Sequence, residues 1–265
     1  MSGGRHHRQL ILPEVGEAGQ RRLQDASVLV VGIGALGAPV SLYLAAAGVG
    51  RIGLLDDQRV ERSNLNRQVL YQDSDLGRLK VEAARDRLHA LDPGLTLEAI
   101  NDTFRPANAS QLLAAYDLVV DGTDAFETKF LLNDAAVLLG KPLVYGAALQ
   151  WAGQVLTVLP GGPCLRCLFF EPPDPGVVQT CEEAGILGAV TGVIGSVQAE
   201  EAIKVLLGAG QPLSGRIFQH DSLRAESRTT EFQRDPRCPS CSDHPRIRDL
   251  SRYQELVSAR GHLLA

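Results

Sequence analysis

The stretch from Val28 to Gly37, VLVVGIGALG, decides the fold. Its run of β-branched and aliphatic residues reads as a strand of a parallel sheet, buried on both faces. It ends in the glycines Gly32, Gly34 and Gly37, spaced GxGxxG, and a helical stretch opens at once, Ala35 to Ala47. A strand, a tight turn and a helix N-terminus are the arrangement that cradles phosphate. Gly32 permits the turn, Gly34 lets a phosphate approach the backbone, and Gly37 lets helix and strand pack closely. Pro39 falls in the first helical turn, where its missing N–H costs little. A second strand, Ile52 to Leu55, ends at Asp56, 19 residues past Gly37, where an acidic residue would hold a ribose hydroxyl. The motif points to a nucleotide and does not say which one.

A chain of 265 residues with 45% hydrophobic content suits one large α/β domain, with or without an appendage. Its net charge of −5 argues against nucleic acid as the main partner. The opening MSGGRHHRQL has no apolar signal region, and the longest near-apolar run, Ala184 to Val197, is too short to span a bilayer. A soluble cytoplasmic protein with no membrane partner is the expectation.

There are five cysteines. Cys164 and Cys167, then Cys238 and Cys241, form two CxxC pairs with 70 residues between them, each beside Pro or Gly in knuckle-like turns. In a reducing compartment disulfides are disfavoured. Four thiolates suit a tetrahedral structural Zn2+. Neither pair opens a helix after a strand, as a thioredoxin-like redox motif would. Cys181 is left over.

Working outward, residues 1–25 hold the basic cluster Arg5-His6-His7-Arg8 and a helix from Glu14 to Gln24. Residues 57–80 are polar and aperiodic, a length of loop that is usually functional or disordered. This loop brings Arg67 and Lys80 close to the strand end at Asp56, which suits a polyphosphate, although both read equally well as surface charge. Further elements are a helix from Gly77 to Leu91, a strand from Leu95 to Ile100, a short helix from Ala107 to Ala115 and a buried strand from Tyr116 to Asp121. Asp121 and Asp124 then stand at a strand's carboxyl end, where open α/β sheets bind ligands. Asp124 equally suits the cap of a helix from Ala125 to Leu139. Pro142 to Ala148 and Gln154 to Leu159 follow each other too closely for a helix between them, so an antiparallel addition to the sheet is expected. Ile186 to Leu207 reads as a long apolar helix whose Gly188, Gly192, Gly195 and Ala199 leave one face nearly bare. Arg216 to Asp221 and Arg224 to Glu231 form a terminal hairpin, the second CxxC closes the fold, and residues 249–265 form an amphipathic C-terminal helical extension to a domain of residues 1–248.

Together these pieces resemble the ubiquitin-activating-type adenylyltransferases of the MoeB, ThiF and HesA family. The pieces that match are RHHRQ (Arg5 to Gln9), VGIGALG, GVGRIGLLD, SNLNRQ (Ser63 to Gln68), GRLKVEAAR, DGTD (Asp121 to Asp124), both CxxC pairs, and TCEEAGILG (Thr180 to Gly188) leading into IGSVQAEEAIK. They run in family order over about residues 5–241, and SNLNRQ, TCEEAG and the paired CxxC are far more specific than GxGxxG.

The resemblance implies a Rossmann-like mixed sheet flanked by helices, a structural zinc and a homodimer. It also implies ATP-dependent adenylation of the C-terminal Gly-Gly carboxylate of a small β-grasp sulfur-carrier protein, giving acyl-adenylate and pyrophosphate. On that resemblance Asp56 takes the ribose. The 32–37 turn (Gly32, Gly34, Ala35, Gly37), Asn64, Arg67 and Lys80 take the phosphates. Asp124 holds Mg2+ at the reacting phosphate, and Arg8 reaches the partner subunit's nucleotide. Cys181 stands where some members carry a cysteine that bonds covalently to the activated carrier and others keep one without needing it; its place in a loop before a helix N-terminus would favour the thiolate. No rhodanese-like segment follows the zinc pairs, so a separate sulfur donor is implied. Three positions depart from the pattern: Gln58 in place of the second Asp of D-x-D, Ala125 where an Asn follows the aspartate, and Ala35 for a glycine of the turn. The alternatives are an adenylating enzyme with another acceptor and, from a different class, a dehydrogenase or an inactive nucleotide-binding scaffold.

Overall fold

The structure is a computed structural model that describes residues 4–174, 177, 179 and 181–253, with the side chains of residues 181 and 182 outside the description. A short helix α1 (His7–Leu10) and α2 (Gly16–Asp25) precede the expected β-α-β unit of β1 (Ser27–Val31), α3 (Gly37–Ala47) and β2 (Arg51–Leu55). There follow α4 (Lys80–Leu91), β3 (Thr96–Ile100), α5 (Pro106–Ala114), β4 (Leu118–Asp121), α6 (Phe126–Leu139), β5 (Leu143–Leu149) and β6 (Ala152–Val158). The described chain continues through α7 (Leu165–Leu168), α8 (Cys181–Ala184), α9 (Gly188–Leu207), β7 (Arg216–Asp221) and β8 (Glu226–Glu231). The helix expected at Ala35 begins two residues later, because Gly34–Leu36 form the turn itself.

The eight strands form one sheet in the order β3-β2-β1-β4-β5-β6-β7-β8. Strands β3 to β5 are parallel and joined by helical crossovers. Strands β6, β7 and β8 continue antiparallel, as the short β5–β6 connection requires. The order reverses between β1 and β4, and the crevice at that switch point is where such sheets bind ligands.

Side chains alternate across the sheet. Val28, Val30, Ile52, Leu54, Val120 and Val144 face the layer of α2, α3, α4 and α9. Leu29, Val31, Val119, Leu143 and Leu156 face α5, α6 and α7. The bare face of α9 is used in parts. A Cβ on Gly195 would stand 2.5 Å from Pro39 Cγ and 2.9 Å from the Leu36 carbonyl, so this glycine lets α9 lie against α3. A Cβ on Gly192 would meet nothing within 4 Å among the described residues.

The start of the expected extension returns to the core. Tyr253 is buried, and its hydroxyl meets Asp134 on α6 and Arg166 on α7. Residues 254–265, most of that expected helix, lie outside the described residues.

Candidate active site

Gly32 closes β1 and Gly122 closes β4, and the two backbones touch at the switch point. Gly32 has φ +84°, and a Cβ there would stand 2.9 Å from the Gly122 carbonyl carbon. Only glycine combines that backbone with that approach. The Tyr71 hydroxyl donates to the Ile33 carbonyl at 2.7 Å and holds the turn from the other side. Among the described residues no backbone carbonyl accepts from the N–H groups of Gly34, Ala35 or Leu36. With the N-terminus of α3 behind them, these donors suit an anion.

Asp56 follows β2. One carboxylate oxygen accepts from the Ile33 N–H at 2.8 Å, and the other accepts from the Gln58 N–H at 2.9 Å. Burial raises its pKa above the ordinary 3.8, against the lowering pull of the Lys80 charge and the two backbone donors. Lys80 is the first residue of α4 and is almost fully buried. Its backbone N–H donates to the Gln58 carbonyl at 2.9 Å, and its Nζ donates to Gln58 Oε1 at 2.7 Å. The departure at position 58 therefore gives Lys80 a neutral partner, while the adjacent Asp57 accepts from the Thr103 hydroxyl.

The loop between β2 and α4 is ordered by its own hydrogen bonds. Asn64 is buried, and its side-chain oxygen accepts from the Glu61 N–H at 3.1 Å, closing a short 3-10 turn over residues 62–64. Arg67 donates to the Ser63 carbonyl at 2.8 Å and stays partly exposed. Gly188 of α9 packs on this backbone; a Cβ there would stand 3.1 Å from Arg67 Cα.

Asp121 and Asp124 separate. Asp121 is fully buried, paired with Lys129 at 3.0 Å and bonded to Thr123, so this carboxylate is structural and not a ligand at the strand end. Asp124 is exposed at the carboxyl edge of β4, and among the described residues its carboxylate has no partner. It does not cap α6: the N-cap is Ala125, and no side chain caps that helix.

Gly32, Gly34, Ala35, Gly37, Asp56, Asn64, Arg67, Lys80 and Asp124 thus belong to the elements that meet at one edge of the sheet. Arg8 does not join them within the chain. It is exposed on α1, which Gln9 ties to the Ala47 carbonyl at the far end of α3, about 16 Å along that helix from the glycine turn. Cys181 begins α8, and its side chain lies outside the described residues.

The four CxxC thiols lie at the opposite edge, beyond the end of β6. Their sulfurs all fall within 4.8 Å of one another, with Cys164 and Cys238 at 3.6 Å and Cys167 and Cys241 at 3.4 Å. These separations are too long for disulfides and suit four ligands of one tetrahedral ion. The Cys241 N–H donates to the Cys238 sulfur and the Asp235 N–H to the Cys167 sulfur, which favours thiolates. Arg166, between the first two cysteines, forms a bidentate pair with buried Asp134. No feature of the CLRC spacing announces that pair, and nothing in SNLNRQ assigns a role to Gln68 beside Gly34.

The ThiF family model matches residues 6–242. A sulfur carrier protein adenylyltransferase of Thermus thermophilus is 52% identical over 262 residues, 97% of each chain. The SAMP-activating enzyme E1 of Haloferax volcanii is 44% identical over 90% of this chain and 88% of its own. An adenylyltransferase and sulfurtransferase MOCS3 of Culex quinquefasciatus is 48% identical over 97% of this chain, which spans 59% of that relative's length. Among solved structures, E. coli MccB with MccA-N7isoAsn superposes with a TM-score of 0.82 over 91% of this chain and 75% of that one, at 21% identity, a likeness of fold.

Proposed function

The chain belongs to the ThiF family, and from that premise we propose that it uses ATP to adenylate the C-terminal carboxylate of a small sulfur-carrier protein ending in Gly-Gly. The observation that carries this reading is the meeting, at one sheet edge, of a buried lysine with N–H donors and a carboxylate that have no partner among the described residues. A nucleoside triphosphate needs this set, and a dinucleotide does not need the cations.

In this reading Asp56 accepts from a ribose hydroxyl, and its two backbone bonds hold it in place for that. The N–H groups of residues 34–36 take phosphate oxygens, and Asn64, Arg67 and Lys80 lie along the rest of the triphosphate. A carrier carboxylate oxygen attacks the α-phosphorus in line. The bond from that phosphorus to the bridging oxygen breaks, and pyrophosphate leaves with the bonding pair. Little covalent help is needed; positioned positive charge lowers the barrier. The exposed Asp124 carboxylate suits Mg2+, which when bound would neutralise charge on the phosphates. The four thiols suit a structural Zn2+ that would staple the second knuckle to α7, and a cytoplasmic setting would keep them reduced.

Arg8, remote from its own turn, fits a homodimer in which it reaches the partner subunit's nucleotide. A separate sulfur donor would take the activated carrier onward, and Cys181 is the residue that would carry a covalent intermediate if one forms. The reading is tested by incubating the protein with ATP and a candidate carrier, trapping with hydroxylamine and taking the carrier's mass. A hydroxamate at the carrier's C-terminus supports it. An unchanged carrier in the presence of ATP consumption moves the acceptor elsewhere.

A further inference from the structure

The four cysteines at the far edge of the sheet are not equivalent. Cys164 and Cys238 are fully buried, whereas Cys167 and Cys241 are half-buried. The Cys167 sulfur accepts from the Asp235 N–H, and the Cys238 sulfur accepts from the Cys241 N–H, both at 3.4 Å. Among the described residues no N–H donates to the sulfurs of Cys164 and Cys241. A donated N–H stabilises a thiolate and blunts its attack on an electrophile. Cys241 alone combines access with a sulfur free of such a donor.

A cavity of about 230 Å3 opens beside it. The end of α6, the turn after β6 and residues 240–242 line this cavity, and Cys241 is the one cysteine of the four in its wall. Ser240 stands next to it. It is buried, and among the described residues its hydroxyl has no hydrogen-bond partner. A buried polar group left so calls for a polar occupant, and the space exceeds the volume of a water, about 30 Å3 in the liquid. A small polar molecule that enters therefore meets the Ser240 hydroxyl and the neighbouring thiol together. The Cys167 sulfur waits 3.4 Å from that of Cys241. A shift of about 1.4 Å would bring the two to disulfide length.

Building on the reading of this cluster as a structural zinc site, we propose that Cys241 is an oxidation site, the point at which a small hydroperoxide opens the four-thiolate cluster. The Cys241 thiolate attacks one oxygen of hydrogen peroxide, the O–O bond breaks, and hydroxide leaves and takes a proton from solvent. Ser240 donates to the leaving oxygen. Cys241 is now a sulfenic acid. The Cys167 thiolate attacks its sulfur, the S–O bond breaks, and a second hydroxide leaves. Two thiolates have together given two electrons to one peroxide, and a Cys167–Cys241 disulfide remains. Two of the four metal donors are lost, yet the disulfide keeps the two knuckles joined. A dithiol reductant therefore restores the full donor set.

The test takes the full chain with its zinc, adds hydrogen peroxide in graded doses and follows released zinc with a chromogenic chelator. Peptide mass spectrometry, with and without dimedone to trap sulfenic acid, places each modified cysteine, so Cys181 is read separately. The expected result is dimedone on Cys241 before the other three cysteines of the cluster. Without dimedone a Cys167–Cys241 disulfide should appear in step with zinc release, and dithiothreitol with added zinc should reload the site. Ser240→Ala should keep the zinc content and thermal midpoint of the parent, because that hydroxyl bonds to nothing in the chain. It should slow Cys241 oxidation roughly fivefold, the worth of one hydrogen bond. Modification spread evenly over the four cysteines, or zinc release with Cys241 unmodified, overturns the assignment while leaving the zinc site intact. An unchanged oxidation rate in Ser240→Ala removes Ser240 from the step. A protein that carries no zinc when purified overturns the metal reading and this proposal with it.

Discussion

Asp121, buried and bonded to Lys129, and Asp124, exposed and without a partner among the described residues, stand three positions apart. Breaking the first pair would leave a buried charge unpaired and cost about 3–5 kcal/mol of stability. Asp124→Ala removes no contact, so its unfolding free energy should stay within about 0.5 kcal/mol of the parent, while adenylation falls by about a hundredfold or more. Denaturant unfolding and turnover measured on the same sample check both halves, and full turnover would remove Asp124 from the mechanism. Asp56 gives a pH prediction. Burial raises its folded pKa above the usual value. Between the two values the folded chain holds the extra proton, so this group contributes stability at low pH that declines as pH rises through its folded value. Carbon-detected NMR should show Asp56 titrating above 3.8, and Asp56→Asn should flatten that slope. The glycine spacing and the acidic residue 19 positions later made Asp56 legible in the sequence. Asp121 was not, because two carboxylates three residues apart read alike until burial and Lys129 distinguish them.

At the scale of elements, α9 carries four small residues at helical spacing, and they do not act alike. Gly195→Ala would press a methyl onto Pro39 and the Leu36 carbonyl. The expected cost is about 1–3 kcal/mol, or several degrees in thermal midpoint. Gly192→Ala meets nothing within 4 Å among the described residues and should be neutral or gain up to ~1 kcal/mol from helix propensity. Thermal unfolding of the pair distinguishes a packed glycine from a free one. Element identity was legible almost throughout, since the buried parallel strands read as continuous apolar runs and β5 and β6 lie too close for a crossover. Boundaries shifted where a turn took residues from a helix, as at Gly34–Leu36. The 57–80 loop had no periodicity to read; its order comes from Asn64, Gln68 and Tyr71 bonding back to nearby backbone.

The whole molecule has work at both edges of one sheet. The glycine turn and its neighbours hold the carboxyl edge of the parallel strands, and the four thiols hold the other. Cys164 and Cys238 belong to the same apolar cluster as Leu143, Leu156 and Val158, so a metal there is coupled to the core. Metal analysis should find zinc in the purified protein. Chelation, or Cys164→Ser, should release it and lower the thermal midpoint, because ligand binding and folding are linked; a metal-free protein of unchanged stability would contradict the zinc assignment. The paired CxxC made this cluster legible at a distance, whereas the Arg166–Asp134–Tyr253 contact joins segments 32 and 87 residues apart from Arg166 and left no local trace.

The central claim is that the switch-point site activates a carrier carboxylate with ATP. ATP–pyrophosphate exchange measures that step and its reversal directly. With purified protein, Mg2+ and a Gly-Gly-tailed sulfur carrier, labelled pyrophosphate should enter ATP, and omission of the carrier should abolish the exchange. ATP binding without exchange, for every such carrier offered, would contradict the account and leave a nucleotide-binding protein with a different acceptor or none.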